Sequence, residues 1–78
     1  MDVSISRDFG EQPLVAVMAD CGLSVHDVVA ASDEQITHKM VSRGRKGRRL
    51  SRNVQFKILR AVNNASGKEY SLRDMFNY

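Results

Sequence analysis

The sequence predicts an all-α domain of four to five short helices, preceded by a flexible N-terminal arm. Three features support this class. Apolar residues recur at spacings of three and four, the period of an amphipathic helix. Serine, threonine and glycine stand where these patterns begin and end, as helix caps do. The chain has 78 residues with one proline and five glycines, which suits one small globular domain better than a low-complexity chain.

The arm comprises residues 1–10 and the helical domain residues 11–78. Val3 and Ile5 alternate with polar residues, which is a weak strand signal. The stretch is otherwise polar, and chain termini tend to fray. We therefore expect a flexible arm here, with pairing across a dimer or contact with DNA as the alternatives.

The first helix is predicted to begin at Pro13, which suits a first helical turn, and to end before Gly22. The second helix is predicted to begin after Ser24, because Ser24 and Asp27 have the spacing of a capping box. The inward side chains of both helices are apolar residues at helical spacing: Leu14, Val17, Met18, Val25, Val28 and Val29. The turn-forming residues 32–35 end the second helix.

The third helix is predicted over residues 37–46. Thr37 is the better N-cap, because Met40 and Val41 then form an inward apolar stripe; a start at Asp33 would give a longer helix. Gly44 and Gly47 interrupt the following basic run, so the helix is expected to end between them.

The fourth helix has the clearest pattern in the chain. Ser51 is its predicted N-cap, and the helix is expected to end within residues 63–67. Its inward stripe is apolar, with Phe56 and Ala61 beside it: Val54, Ile58, Leu59 and Val62. Ser71 and Asp74 form a second capping-box spacing. A short fifth helix is predicted there, with its apolar residues closing the core: Leu72, Met75 and Phe76.

The charge is distributed unevenly along the chain. Residues 1–36 carry a net charge of −6 and residues 37–78 carry +9. Half of the 12 lysines and arginines fall in one short run: Arg43, Arg45, Lys46, Arg48, Arg49 and Arg52. Such clustering favours a surface that binds a polyanion over a solvated surface with uneven charge.

Two short helices, a break and a third helix with a basic outer face are typical of a helix-turn-helix. The major groove of DNA is about 12 Å wide and accepts one helix. The outer side chains of the third helix are predicted to contact base edges: His38, Lys39, Ser42 and Arg43. The side chains at its far end and in the following connection are predicted to contact phosphates: Arg45, Lys46, Arg48, Arg49, Ser51 and Arg52.

The sequence also resembles the lambda-repressor/Cro-type (XRE) helix-turn-helix family of bacterial and phage regulators. The similarity covers about residues 12–76 and rests on short segments: Gly22-Leu-Ser24, Asp27-Val-Val29, Ile36-Thr37, Val41, Gly47, Ile58-Leu-Arg-Ala-Val-Asn63 and Leu72-Arg-Asp-Met-Phe76. It implies a lambda-repressor-like fold of four to five helices. It also implies binding to double-stranded DNA, often as a homodimer on a palindromic operator. The positions of His38, Lys39, Ser42 and Arg43 match the base-reading face of that family's recognition helix.

Other classes are less favoured by the sequence. No paired-carboxylate site, metal-ligand cluster or phosphate-binding glycine loop is present, so we expect no enzyme, cofactor or metal. His26 is expected to be exposed, with no second metal ligand at a plausible spacing. A single cysteine, Cys21, and a longest apolar run of six residues predict a cytoplasmic protein without a membrane span, associated with the nucleoid when bound to DNA.

Two alternatives to DNA binding stay open. The acidic N-terminal half and the C-terminal Met-Phe-Asn-Tyr are compatible with an antitoxin-like or adaptor module that binds a protein. RNA binding is disfavoured, because the aromatic residue closest to the basic run, Phe56, is predicted to lie in the core and single-stranded RNA needs stacking aromatics.

Overall fold

A computed structural model describes residues 10–78. This part of the chain forms four α-helices and one short 3₁₀ helix, and contains no β-strand. The elements are α1 (Pro13–Cys21), α2 (Val25–Ala31), α3 (His38–Lys46), α4 (Arg52–Ser66) and the 3₁₀ helix (Leu72–Asp74). The predicted all-α class is confirmed, whereas the predicted arm falls almost entirely on residues 1–9, outside the described residues.

Side-chain caps fix where the helices begin. The Ser24 hydroxyl accepts from the Asp27 amide at 3.1 Å, and the Asp27 carboxylate accepts from the Ser24 amide at 2.9 Å, so the capping box is present. The Thr37 hydroxyl accepts from the Met40 amide at 3.1 Å. The Ser51 hydroxyl accepts from the Val54 amide at 3.2 Å. These caps confirm the predicted starts of α2, α3 and α4, including the choice of Thr37 over Asp33.

The core is formed by one continuous set of apolar side chains between the helices. α2 packs against α3 and α4, while α1 packs against α3 and the 3₁₀ helix. The buried members are Leu14, Val17, Met18, Val28, Ile36, Val41, Ile58, Leu59, Ala61, Val62, Met75 and Phe76. Burial of these side chains is the main favourable contribution to folding, and it holds α2 and α3 together as a pair.

The C-terminal segment differs from the predicted fifth α-helix. Only Leu72–Asp74 is helical, as a single 3₁₀ turn. The Met75 carbonyl accepts from the Leu14 amide at 2.9 Å, and the Asn77 amide donates to the Gln12 side chain at 2.7 Å. Because these groups bond to the start of α1, the segment leaves helical geometry there. Met75 and Phe76 are nevertheless buried, as predicted.

Phe56 was predicted to lie in the core, and that prediction is wrong. Phe56 is 39% exposed and is the one large hydrophobic residue that is exposed in the described part of the chain. It flanks the apolar stripe of α4, and this flank is open to solvent. RNA binding was disfavoured because Phe56 was predicted to be buried, and that reason no longer holds.

Between residues 10 and 78, no single helix has the length and apolar composition needed to cross a membrane. Only α1 and α2 taken together would satisfy that test, and they are bent by 81° at the break between them.

Candidate nucleic-acid interface

The outer face of α3 presents a row of cationic and polar side chains. Val41 and Gly44 are buried on the opposite side of the helix, and Ser42 is half-buried. The fully exposed candidates on α3 are His38, Lys39, Arg43 and Lys46. At about 100° per residue, these four positions and Ser42 fall within about 140° of the helix circumference. Five of the six predicted contact side chains of α3 therefore share one face, and Arg45 lies just beside it.

Gly44 lies on the inner side of α3, where the helix packs closely against the rest of the protein. A Cβ atom at Gly44 would lie 3.2 Å from the Leu50 side chain and 3.3 Å from the Phe76 ring. A larger residue at this position would push these side chains aside, so glycine lets α3 pack closely against them. The helix continues through Gly44 and ends at Lys46, between the two glycines as predicted.

The C-terminal half of α3 lines a cleft with the start of α1. The cleft has a volume of about 440 Å³ and is lined by Glu11, Val15, Ser42, Arg45 and Lys46. Arg45 is half-buried there, and its Nε is shielded from solvent without a hydrogen-bond partner among residues 10–78. Three of the candidates thus lie together, with Glu11 as the acid that faces them.

The connection from α3 to α4 carries Arg48 and Arg49, both exposed. Its backbone is held by the side chains of Tyr78 and Gln55. The Tyr78 hydroxyl donates to the Arg48 carbonyl at 3.2 Å and accepts from the Leu50 amide at 3.1 Å. The Gln55 side-chain amide donates to the Leu50 carbonyl at 3.0 Å. Three hydrogen bonds to its backbone therefore fix the direction in which the two arginines leave the connection.

A second cleft, of about 450 Å³, lies at the N-terminus of α4. It brings together the remaining candidates with the groups that hold the connection: Arg49, Leu50, Ser51, Arg52, Gln55 and Tyr78. The partial positive charge of a helix N-terminus adds to the charge of the two arginines. Ser51 already uses its hydroxyl oxygen to cap α4, and its hydroxyl proton can donate to an anion.

Sequence reasoning missed Arg73. This side chain and Arg52 line an adjoining cleft of about 240 Å³ with Phe76 and Tyr78. Arg73 is 21 positions beyond Arg52 in the chain and outside the basic run, so neither charge clustering nor helical spacing could identify it.

Gln12 fixes the end of α3, and it too was missed. It is only 2% exposed. Its backbone amide donates to the Arg45 carbonyl at 3.1 Å, while its side chain donates to the Gly10 carbonyl at 3.0 Å and accepts from the Asn77 amide at 2.7 Å. A buried polar side chain of this kind is stable only when its partners are present. Gln12 therefore joins the start of α1, the end of α3 and the C-terminal segment.

The connection from α2 to α3 is held differently. Ile36 is buried, and Glu34 forms a two-pronged ion pair with Arg60 of α4 at 2.6 and 2.7 Å. The hydrogen bonds from the Arg60 guanidinium and its positive charge lower the pKa of the Glu34 carboxyl. Conversely, the bond to Glu34 raises the pKa of Arg60.

The two histidines meet at the start of α3. Nδ1 of His26 lies 3.4 Å from Nε2 of His38, and the ring planes are 25° from parallel. His26 is exposed as expected. The spacing of the two histidines in the sequence did not indicate this contact, which arises because α2 and α3 place their N-terminal turns side by side.

The remaining candidate ligands are the acidic side chains and Cys21. No group of three or more His, Cys, Asp or Glu side chains that could hold a metal ion occurs within residues 10–78. Cys21 is half-buried at the end of α1, with its sulfur 3.5 Å from the Tyr70 hydroxyl. This contact and partial desolvation raise the pKa of Tyr70. Cys21 is the helix-end residue that its sequence position indicated.

The chain was compared with protein-family models, with curated proteins and with solved structures, and none of the three comparisons gives a match.

Proposed function

We propose that this chain binds double-stranded DNA as a helix-turn-helix regulator, with α3 in the major groove. The observation that carries the proposal is the outer face of α3. The side chains of Lys39 and Arg43 are exposed there and make no hydrogen bond or ion pair with residues 10–78. The apolar face of α3 anchors the helix to the protein, so the cationic groups on the outer face can donate hydrogen bonds to base edges and phosphates.

The surroundings of α3 support two classes of contact. His38, Lys39, Ser42 and Arg43 are assigned to base edges, because they occupy the N-terminal part of the outer face. The cations at the end of α3 and beyond are assigned to phosphates: Arg45, Lys46, Arg48, Arg49 and Arg52, with Ser51 as a hydroxyl donor. Membership of the lambda-repressor/Cro family and a homodimer on a palindromic site belong to the same proposal.

The test is selection of bound sequences from a random duplex pool, followed by affinity measurements on the selected site. We expect log K to fall with log salt by about 0.9 for each phosphate contacted. We expect Arg43→Ala to lose about 1–3 kcal/mol at one base pair and so relax the sequence preference. Arg49→Ala is expected to weaken all duplexes about equally and to reduce the salt slope by about 1.

Lys68→Ala is the matched control, since Lys68 is an exposed cation beside Tyr70 and outside the proposed interface. It should leave affinity and salt slope almost unchanged. Absence of duplex binding at low salt would refute the proposal. The same would hold if Arg43→Ala, Arg49→Ala and Lys68→Ala gave equal losses.

Protein binding is the second candidate, and the exposure of Phe56 favours it. A large aromatic side chain open to solvent on α4 is the kind of anchor that a protein partner buries. An antitoxin-like or adaptor role predicts a complex that persists at high salt and is weakened by Phe56→Ala. Duplex binding that is unchanged by Phe56→Ala would favour the DNA proposal.

A further inference from the structure

His26 and His38 are the only histidines in the chain, and they lie against each other on the surface. They come from the first turns of α2 and α3, which are consecutive helices joined by a six-residue connection. The distance between Nδ1 of His26 and Nε2 of His38 is 3.4 Å, with ring centroids 5.6 Å apart. Neither DNA contact nor helix packing accounts for this pairing, because His26 is not on α3 and both side chains are exposed.

We propose that His26 and His38 form a two-histidine site for a divalent transition-metal ion such as Zn²⁺. Two nitrogens that bind one tetrahedral Zn²⁺ at about 2.0–2.1 Å lie about 3.3 Å from each other. The observed separation of 3.4 Å matches that spacing. Neutral imidazole suits zinc, copper and nickel. Water occupies the remaining coordination positions, since no third protein ligand lies in the cluster among the described residues.

Binding needs only small changes in the two side chains. Rotation about the Cβ–Cγ bonds directs both facing nitrogens at one ion. The two rings are exposed, so this rotation meets no obstruction among residues 10–78. In the hydrogen-bonded pair one facing nitrogen carries a proton. When the metal binds, the facing nitrogen gives up that proton and the far nitrogen of the same ring takes one from water, so that each ring carries one proton on its far nitrogen, Nε2 of His26 and Nδ1 of His38. The imidazoles therefore bind the ion without net loss of a proton.

The carboxylate of Asp27 adds a favourable charge to this site. It is adjacent to His26, and it is held by the Ser24 amide at 2.9 Å. Because this hydrogen bond fixes it within the capping box, Asp27 acts on the ion through its charge and not as a ligand.

A bound ion would join the N-terminal turns of α2 and α3 directly. Since only the folded chain brings the two rings together, metal binding stabilises the fold by mass action. The same ion would hold His38 on the α2 side and reduce its freedom to contact a base. This last consequence rests on the proposed DNA function, whereas the site itself does not.

The test is a Zn²⁺ titration of the full chain by calorimetry, with thermal unfolding measured with and without the ion. We expect one ion per chain and a rise of a few degrees in Tm. His26→Gln and His38→Gln should each weaken binding at least tenfold and abolish the rise. Cys21→Ser, which removes the only thiol, should bind Zn²⁺ as the unaltered chain does, and the double variant His26→Gln/His38→Gln gives the background from all other groups.

Copper provides a second readout that does not depend on stability. With one equivalent of Cu²⁺, the paramagnetic resonance spectrum should show coupling to two imidazole nitrogens, and to one in either single variant. Unchanged Zn²⁺ affinity in either histidine variant would overturn the proposal, as would loss of binding in Cys21→Ser alone. None of these measurements uses DNA, so their failure is distinguishable from failure of the proposed function.

Discussion

The two connections that flank α3 are held in place by different kinds of interaction. The α2–α3 connection is fixed by one buried apolar side chain, Ile36, and by the exposed ion pair between Glu34 and Arg60. The α3–α4 connection is fixed through its backbone, by hydrogen bonds from Tyr78 and Gln55. Both position the same helix, but the second also carries three of the proposed phosphate contacts, Arg48, Arg49 and Ser51.

This difference matters because the two kinds of interaction respond differently to change. Exposed ion pairs contribute little to stability and are screened by salt. Hydrogen bonds at partly buried backbone groups are costly to break when no replacement partner is available. We therefore infer that loss of the ion pair at the start of α3 costs little stability, whereas loss of the hydrogen bonds at its end costs more.

The largest effect is expected for Gly47→Ala, at the end of α3. Gly47 has φ of +86°, and a Cβ atom there would overlap the backbone of Gly10. The positive φ costs about 1–2 kcal/mol for a residue other than glycine, and displacement of the Gly10 backbone adds about 1–3 kcal/mol. The free energy of unfolding in urea measures the total.

Gly67→Ala is the control for this substitution. Gly67 ends α4 with φ of +73°, and nothing lies within 4 Å of the added Cβ. It should show the backbone cost alone. Equal losses in the two variants would mean that the contact between Gly10 and Gly47 contributes nothing to the position of α3.

The two connections also differ in how far the sequence could predict them. Helix starts at Ser24, Thr37 and Ser51 follow from local chemistry, because a capping hydroxyl bonds to an amide three residues away. The inward position of Val41 follows from helical period. These features depend on near neighbours in the chain, and the structure agrees with them.

The interactions that hold the α3–α4 connection depend on distant neighbours. The bond between Gln12 and Asn77 spans 65 positions, and that between Tyr78 and Leu50 spans 28. No local pattern marks such a glutamine or tyrosine as bonded to a distant part of the chain. The wrong prediction for Phe56 has the same origin, since its exposure depends on which helix packs against α4.

The residues of the candidate interface also fall into those that are neighbours in sequence and those that only the fold brings together. Clustering of bases and helical period found the α3 face, because its members are neighbours in sequence. Arg73, which shares a cleft with Arg52, and the contact between His26 and His38 arise only when the chain folds.

A smaller effect is expected for Tyr78→Phe, which removes the hydroxyl between Arg48 and Leu50. Stability should fall by about 0.5–1.5 kcal/mol, since one hydroxyl makes both bonds. If the connection positions the phosphate contacts, duplex affinity should fall severalfold with an unchanged salt slope, because no charge is lost. Fluorescence anisotropy across a salt series measures both quantities.

Tyr70→Phe is the matched control, because it removes a hydroxyl that contacts Cys21 at the other side of the fold. Its duplex affinity should equal that of the unaltered chain. A change of salt slope in Tyr78→Phe would contradict the view that the tyrosine acts by positioning, and equal losses in both variants would assign the effect to general stability.

The smallest effect is expected for Glu34→Gln, in the α2–α3 connection. The ion pair with Arg60 lowers the pKa of Glu34, so the folded state is favoured when the carboxyl is charged. The contribution is fully present above the pKa of a glutamate in the unfolded chain. It is lost as pH falls through the lower pKa of the folded chain. The stability difference between the unaltered chain and Glu34→Gln should therefore be small at pH 7 and vanish in acid.

Glu69→Gln, at an exposed acid, corrects for the loss of one charge. A Glu34→Gln loss at pH 7 as large as that of Tyr78→Phe would mean that an exposed ion pair holds α3 as firmly as the bonded backbone at its other end, and the contrast between the two connections would then fail.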